Sequence, residues 1–231
     1  MAEIHYSSFD TVRFGSCQPL EQMQLQDLVG LFDRSTPAAG SVLGGRTSVV
    51  RYQLDSVGPV VIKYYRRGGI ISRFNEKTYL RFGKTRGQRE YEMMAHVRRI
   101  GVRAPRPVAF AHRGFLFYHC WLVTGEVEQH RTLAELSLAD PQQALRLTAA
   151  VAAEINRLVD HHLHHVDLHP GNVLVDRRQQ VILIDFDKTR RIRSDPAALR
   201  HRYLQRWRRA VAKHRLPAEL SQALEAALFK G

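Results

Sequence analysis

The rhythm of apolar and polar residues changes partway along the chain. "GSVLGGRTSVVRYQL" (40–54) is a glycine-rich turn followed by alternating residues, the pattern of a half-buried strand. A turn at Asp55–Pro59 leads to a second strand, "VVIKYY" (60–65). "QREYEMMAHVRRIG" (88–101) spaces its apolar residues as a helix does and stops at Gly101. "RAPRPVAF" (103–110) predicts an extended, proline-rich connector, because a residue before proline is pushed out of the helical region. "FLFYHCWLVTGEV" (115–127) predicts one or two further strands and a turn at Gly125. After residues 125–128 helices take over. "PQQALRLTAAVAAEINRLVD" (141–160) is strongly amphipathic and opens with Asp140 as a cap and Pro141 at the first helical position. "VLVD" and "VILIDFD" predict two short strands around a polar turn at 176–180, and two helices broken at Pro217 follow from Pro196. Residues 1–39 pattern weakly and predict an extension with a short helix near Leu20–Phe32. The expectation is an α+β, bilobal chain with a cleft between a β-rich lobe at 40–124 and a mainly helical lobe at 125–231.

With 231 residues, 44% of them hydrophobic, the chain can bury a core. Two cysteines without CxxC spacing argue against a disulfide framework and fit a reducing cytoplasm. "MAEIHYSSFD" has no basic stretch leading into an apolar one, so no secretory leader is expected, and no apolar run reaches the length of a membrane span. Charge changes the picture more. Thirty-five Lys and Arg against 22 Asp and Glu leave +13, which points to anionic partners such as nucleic acid, a membrane surface or a phosphorylated substrate.

The densest chemistry lies in "HHLHHVDLHPGNVLVD" (161–176), with five histidines in sixteen residues. His161 and His165 would share a face if the preceding helix continued through them, but no HExxH or CxxC accompanies them. A second pattern fits better. His165-Val166-Asp167 is followed by Asn172, and Asp185-Phe186 closes the strand "VILID", giving the kinase-like arrangement H-x-D-x-x-x-x-N, then D-F. Asp167 can accept the proton of an attacking hydroxyl, and Asn172 and Asp185 can each offer Mg²⁺ a hard oxygen ligand. Upstream, Lys63 is a lone cation in an apolar strand, suited to a nucleotide's α/β-phosphates. Glu90 and Glu92 are its candidate partners, with Glu90 preferred. Gly44, Gly45, Arg46 and Thr47 can wrap phosphates with backbone N–H groups.

"GGRTSVV", "IKYYRRGG", "REYEMMAHVRRIGVRAPRPVA", "HVDLHPGNVLVD" and "IDFDKTR" together resemble the lipopolysaccharide kinase family over roughly residues 40–215. The resemblance implies a protein-kinase-like fold. It also implies transfer of phosphate from ATP, with Mg²⁺, to the 4-hydroxyl of 3-deoxy-D-manno-octulosonic acid (Kdo) on a lipid A precursor, at the cytoplasmic face of the bacterial inner membrane. By position it makes Asp167 catalytic, gives Asn172 and Asp185 to the metal, Lys63 and Glu90 to the phosphates, and Gly44–Thr47 to their cover. It lays the adenine against the backbone of Thr124, Gly125, Glu126 and Val127. Asp187 stands where protein kinases have the glycine of DFG, and no A-P-E segment follows, which weakens a protein-substrate reading.

Within this resemblance the positive charge has a place. Residues 66–89 hold eight Lys/Arg interleaved with Phe74, Tyr79 and Phe82, and residues 188–215 hold eleven Lys/Arg and one acid. Both suit an anionic membrane surface carrying a glycolipid. A kinase for heptose or another lipopolysaccharide core sugar is the alternative, followed by an atypical small-molecule or protein kinase. A nucleic-acid-binding module would explain the charge but not the Asp167, Asn172 and Asp185 spacing, so no nucleic acid partner is expected.

Overall fold

The computed structural model describes residues 3–34, 48–65, 79–80, 83–115 and 117–230. The chain has a mixed α/β fold and divides into two compact units. One comprises Met1–Glu92 and Arg106–Glu126, the other Met93–Pro105 and Val127–Gly231.

The first unit is an antiparallel sheet with one helix on its core face. Its strands are β1 (His5–Phe9), β2 (Val12–Ser16), β3 (Ser48–Leu54), β4 (Gly58–Tyr64), β5 (Tyr79–Leu80), β6 (Pro107–Arg113) and β7 (Phe117–Gly125). They are ordered β1-β2-β6-β7-β4-β3, with β5 added to β7. β3 and β4 form the predicted hairpin, with Leu54 paired to Gly58. Its turn needs Gly58, whose φ of 97° is open to glycine and strained for other residues.

Helix α1 (Gln22–Arg34) seats Leu25, Leu28, Val29 and Phe32 in the core, where Phe32 stacks on Trp121 with ring centroids 4.3 Å apart. Residues 5–34, expected as an extension, are therefore part of this sheet and core. Only the helix was anticipated. The β1–β2 hairpin turns at Asp10, whose φ of 50° aspartate tolerates, and its contribution becomes visible only through β2 pairing with β6, about a hundred residues away. That pairing also corrects the proline-rich connector. Pro107 is the first residue of β6, where a missing N–H costs least, and the strand lies between β2 and β7 with Val108–His112 buried.

Helix α2 (Arg86–Arg99) spans the division between the units, which falls after Glu92. The second unit contains β8 (Arg131–Thr132), α3 (Leu133–Ala139), α4 (Pro141–Asp160), β9 (Leu163–His164), β10 (Val173–Val175), β11 (Val181–Leu183), β12 (Arg190–Arg191), α5 (Pro196–Lys213) and α6 (Glu219–Leu228). Asp140 caps α4 by accepting from the Gln143 N–H at 2.9 Å, with Pro141 behind it, as its sequence dictates. Helix α3 opens with a capping box in which the Thr132 side chain accepts from Glu135 N–H and Glu135 accepts from Thr132 N–H. Helix α4 packs on α6, α5 and α3 and buries Val151, Ile155, Leu158 and Val159. The short β8-β10-β11 and β9-β12 ladders flank the loop that holds the candidate chemistry, which runs from β9 to β10.

Candidate active site

The histidine run folds as a loop, because α4 ends at Asp160 and His162 takes a left-handed conformation with φ 54°. His161 and His165 therefore do not share a helix face. His165 is buried and its Nε2 lies 2.9 Å from the Ile184 carbonyl. A carbonyl only accepts, so Nε2 carries the proton and the ring is a neutral strut. Its other face meets Phe186, with centroids 4.9 Å apart.

Each candidate residue of the second unit is tied to the next through the backbone. The Asn172 side-chain amide donates to the Asp167 carbonyl at 3.0 Å. Ile184 N–H donates to the Asn172 carbonyl at 3.1 Å, which fixes Asp185 one residue on from Asn172's partner. Strands β10 and β11 set this register by pairing Val173 with Leu183. Asp185 itself is left-handed (φ 66°, ψ 59°), a conformation that aspartate adopts more readily than most residues and that turns the chain sharply out of β11.

Behind the loop, the Tyr203 hydroxyl donates to Leu163 O and accepts from His165 N–H, both at 2.8 Å. A further brace begins at Glu154, which is fully buried and accepts from Arg103 N–H and Nη1, both at 3.0 Å, and from Arg157 Nη1 at 2.6 Å. The Arg103 carbonyl then accepts from Leu183 N–H at 2.9 Å, two residues before Asp185.

Asp167 is half-buried and flanked by cations. Lys188 Nζ donates to its Oδ2 at 2.7 Å, and Arg206 Nε lies 3.7 Å from Oδ1. Burial pushes the Asp167 carboxyl up, but the Lys188 hydrogen bond and the charges of Lys188 and Arg206 outweigh it and hold the group below the usual carboxylate range. Asp167 is thus an ionised acceptor at neutral pH. Asn172, with its amide nitrogen committed, keeps Oδ1 for another partner, and Asp185 adds carboxylate oxygens. This hard-oxygen pair fits Mg²⁺. Among the described residues, no group of three or more His, Cys, Asp and Glu is arranged to hold a metal ion.

In the first unit Lys63 on β4 contacts Glu90 on α2, its Nζ lying 2.9 and 3.1 Å from the two carboxylate oxygens. Glu90 is almost wholly buried and also accepts from the Tyr65 hydroxyl. Glu92, the rejected partner, pairs with Lys84 at 2.6 Å. Thr124 and Gly125 end β7, and Glu126 follows it. Gly125 N–H donates to Arg106 O at 2.7 Å and Glu126 N–H to Pro59 O at 2.9 Å, and the division between the units follows Glu126. The Val127 carbonyl faces His130 Nδ1. Gly44, Gly45, Arg46 and Thr47 lie outside the described residues, as do Arg66, Arg67, Arg73, Lys77 and Arg81.

Sequence reasoning missed Lys188, Arg206, Tyr203 and Tyr65. The two cations were hidden in a run of eleven. Tyr203 carried a faint signal, since with Trp207 it forms an i, i+4 aromatic pair in an otherwise basic stretch, the mark of a buried face.

Burial also depresses the basicity of His164, His165 and His169, the last to about 4 with the charge of Arg206 adding to the effect. An unfolded chain protonates these rings near pH ~6.5. Folded-state values below that mean the stabilisation is complete above pH ~6.5 and is lost as pH falls toward the folded values. The melting temperature is therefore expected to drop steadily from about pH 7 to about pH 5. A scan showing a flat profile over that window would contradict the burial of these rings.

Comparison with known proteins follows the same residues. The family described as "Lipopolysaccharide kinase (Kdo/WaaP) family" matches residues 43–227. A Vibrio cholerae protein named 3-deoxy-D-manno-octulosonic acid kinase is 32% identical over 155 residues, covering 64% of this chain and 65% of its own. A Photobacterium profundum protein of the same name is 35% identical over 136 residues, 56% of each chain. One from Stenotrophomonas maltophilia is 33% identical over 177 residues, 74% of this chain and 69% of its own. The chain thus spans less than two thirds of the length of the first two.

Proposed function

Because the chain belongs to the lipopolysaccharide kinase (Kdo/WaaP) family, we propose that it is an ATP-dependent sugar kinase that phosphorylates the 4-hydroxyl of Kdo on a Kdo–lipid A precursor. The observation that carries this reading is the Asp167 loop. It offers an ionised carboxylate braced from behind, with the Asn172 side-chain amide bonded to the Asp167 carbonyl and Asp185 next to Ile184, whose N–H donates to the Asn172 carbonyl. The relatives' printed name supplies the acceptor. In this proposal the chain has a bilobal, protein-kinase-like fold.

The acceptor oxygen bonds to the γ-phosphorus, the bond from that phosphorus to the β-phosphate oxygen breaks, and ADP leaves. Asp167 orients the hydroxyl and takes its proton. A carboxylate with depressed basicity suits a loose transition state, in which the hydroxyl becomes acidic only as its bond to phosphorus forms. Lys63, steered by Glu90, holds the α/β-phosphates, while the adenine rests on the Thr124–Val127 backbone. Asn172 and Asp185 hold Mg²⁺, which neutralises phosphate charge.

No described helix is long and apolar enough to cross a membrane. We place the protein at the cytoplasmic face of the inner membrane, held peripherally by its basic segments, because each Lys or Arg near an anionic surface contributes about 1 kcal/mol.

The test is transfer of radiolabelled phosphate from ATP to Kdo–lipid A precursor, heptosylated core and a generic protein in parallel. The lipid acceptor is presented in anionic and in neutral vesicles. Label is expected on the Kdo acceptor, at a higher rate in anionic vesicles and with that advantage shrinking as salt rises. Label on the heptosylated core alone would move the assignment to a core sugar kinase.

A further inference from the structure

We infer that Arg206 is the specificity-determining residue of the acceptor site, binding the carboxylate of an acidic sugar while Asp167 holds the hydroxyl to be phosphorylated. This deepens the function proposed above and rests on it.

The two carboxylate oxygens of Asp167 are unequally partnered. Lys188 satisfies Oδ2 with a hydrogen bond at 2.7 Å. Oδ1 accepts none among the described residues, although Arg206 Nε stands 3.7 Å away. The guanidinium is in the same condition. It makes no hydrogen bond among the described residues, and the long contact to Asp167 is its one ion pair there. Other cations of the region are differently placed, Lys188 being committed to Asp167 and Arg208 to Glu225 at the surface.

Arg206 is not a loose surface side chain. Its neighbours Tyr203, Leu204, Trp207 and Ala210 are buried and hold α5 against the core. Its own side chain is only 26% exposed. The guanidinium is held in place yet still reaches solvent, so its fork of donors is open to an incoming anion, and carboxylate is the anion whose two oxygens match that fork.

A neutral sugar has no group for this site. An octulosonic acid does. In Kdo the 4-hydroxyl stands two ring atoms from the carbon bearing the carboxylate, so one sugar can offer its hydroxyl to Asp167 Oδ1 and its carboxylate to the neighbouring Arg206. The separation of 3.7 Å between the two protein groups suits such a short span. Arg206 would then distinguish the acid from a heptose through an interaction the heptose cannot make, leaving its donors unpaired when the wrong sugar enters.

The experiment compares kcat/KM for Kdo–lipid A precursor and for its Kdo-carboxamide counterpart, using wild type, Arg206→Gln and Arg206→Lys. For the wild type the carboxamide is expected to lower kcat/KM by about 10- to 100-fold, the worth of a hydrogen-bonded charge pair. Arg206→Gln should lose a similar factor on the acid, and in that variant the carboxamide penalty should disappear. Arg206→Lys should retain part of the preference, since a point charge lacks the fork. The wild-type comparison needs no folded variant and keeps the test open if a substitution harms folding. A wild type indifferent to the carboxamide, or a penalty equally large in Arg206→Gln, overturns the assignment while leaving Kdo kinase activity in place. No transfer to the acid acceptor by the wild type overturns that activity, and this inference falls with it.

Discussion

Asp167→Asn is expected to lower phosphoryl transfer by about 10²- to 10⁴-fold, the range for losing a positioned general base. Asparagine keeps the shape, and the backbone carbonyl of residue 167 would still accept from Asn172, so the loop holds its course. What disappears is the negative charge. The hydroxyl proton then has no anionic acceptor, and Lys188 and Arg206 lose the carboxylate they share. Single-turnover transfer at saturating ATP and acceptor isolates this effect from binding. Equilibrium binding of ATP should persist, because the Lys63–Glu90 pair is untouched. Near-normal turnover in the variant would remove Asp167 from the chemistry.

Asp185→Ala is expected to abolish Mg²⁺-dependent transfer, but two effects are mixed in it. The substitution removes a carboxylate ligand. It also puts alanine into a left-handed conformation, at φ 66°, where a residue other than Gly, Asn or Asp is strained by roughly 1–2 kcal/mol. Asp185→Asn separates the two, since asparagine accepts this conformation and lacks the charge. The expected pattern is lost transfer in both variants, with the melting temperature lowered only in Asp185→Ala. Restored transfer at high Mg²⁺ in Asp185→Asn would be the signature of weakened metal affinity. Full activity of Asp185→Asn at ordinary Mg²⁺ would take Asp185 out of the metal site.

Legibility from sequence followed the range over which each feature is built. Asp167, Asn172 and Asp185 lie within nineteen residues on a loop and a tight β10–β11 ladder, so spacing alone reports their local relation. The Lys63–Glu90 contact was legible because a lone cation in an apolar strand cannot remain unpaired in a core, and the following helix held only two acids. Of those two acids, Glu90 meets Lys63 and Glu92 meets Lys84. Features made by distant strands or by identical residue types were illegible. The β2–β6 pairing joins segments about a hundred residues apart, and nothing local in residues 1–39 announces it. Arg206 resembles the other arginines of its run in type, and only the burial of Tyr203 and Trp207 fixes which face it occupies.

The Tyr203 hydroxyl reaches back about forty residues to hold Leu163 and His165. Synthesis is vectorial, so Asp167, Asn172 and Asp185 all leave the ribosome before the residue that braces their loop. A nascent chain can carry Asp167, Asn172 and Asp185 and still lack the support that holds their loop in shape, and Arg206 follows Tyr203 by about one helical turn. The brace and the proposed acceptor contact therefore arrive together, late in translation.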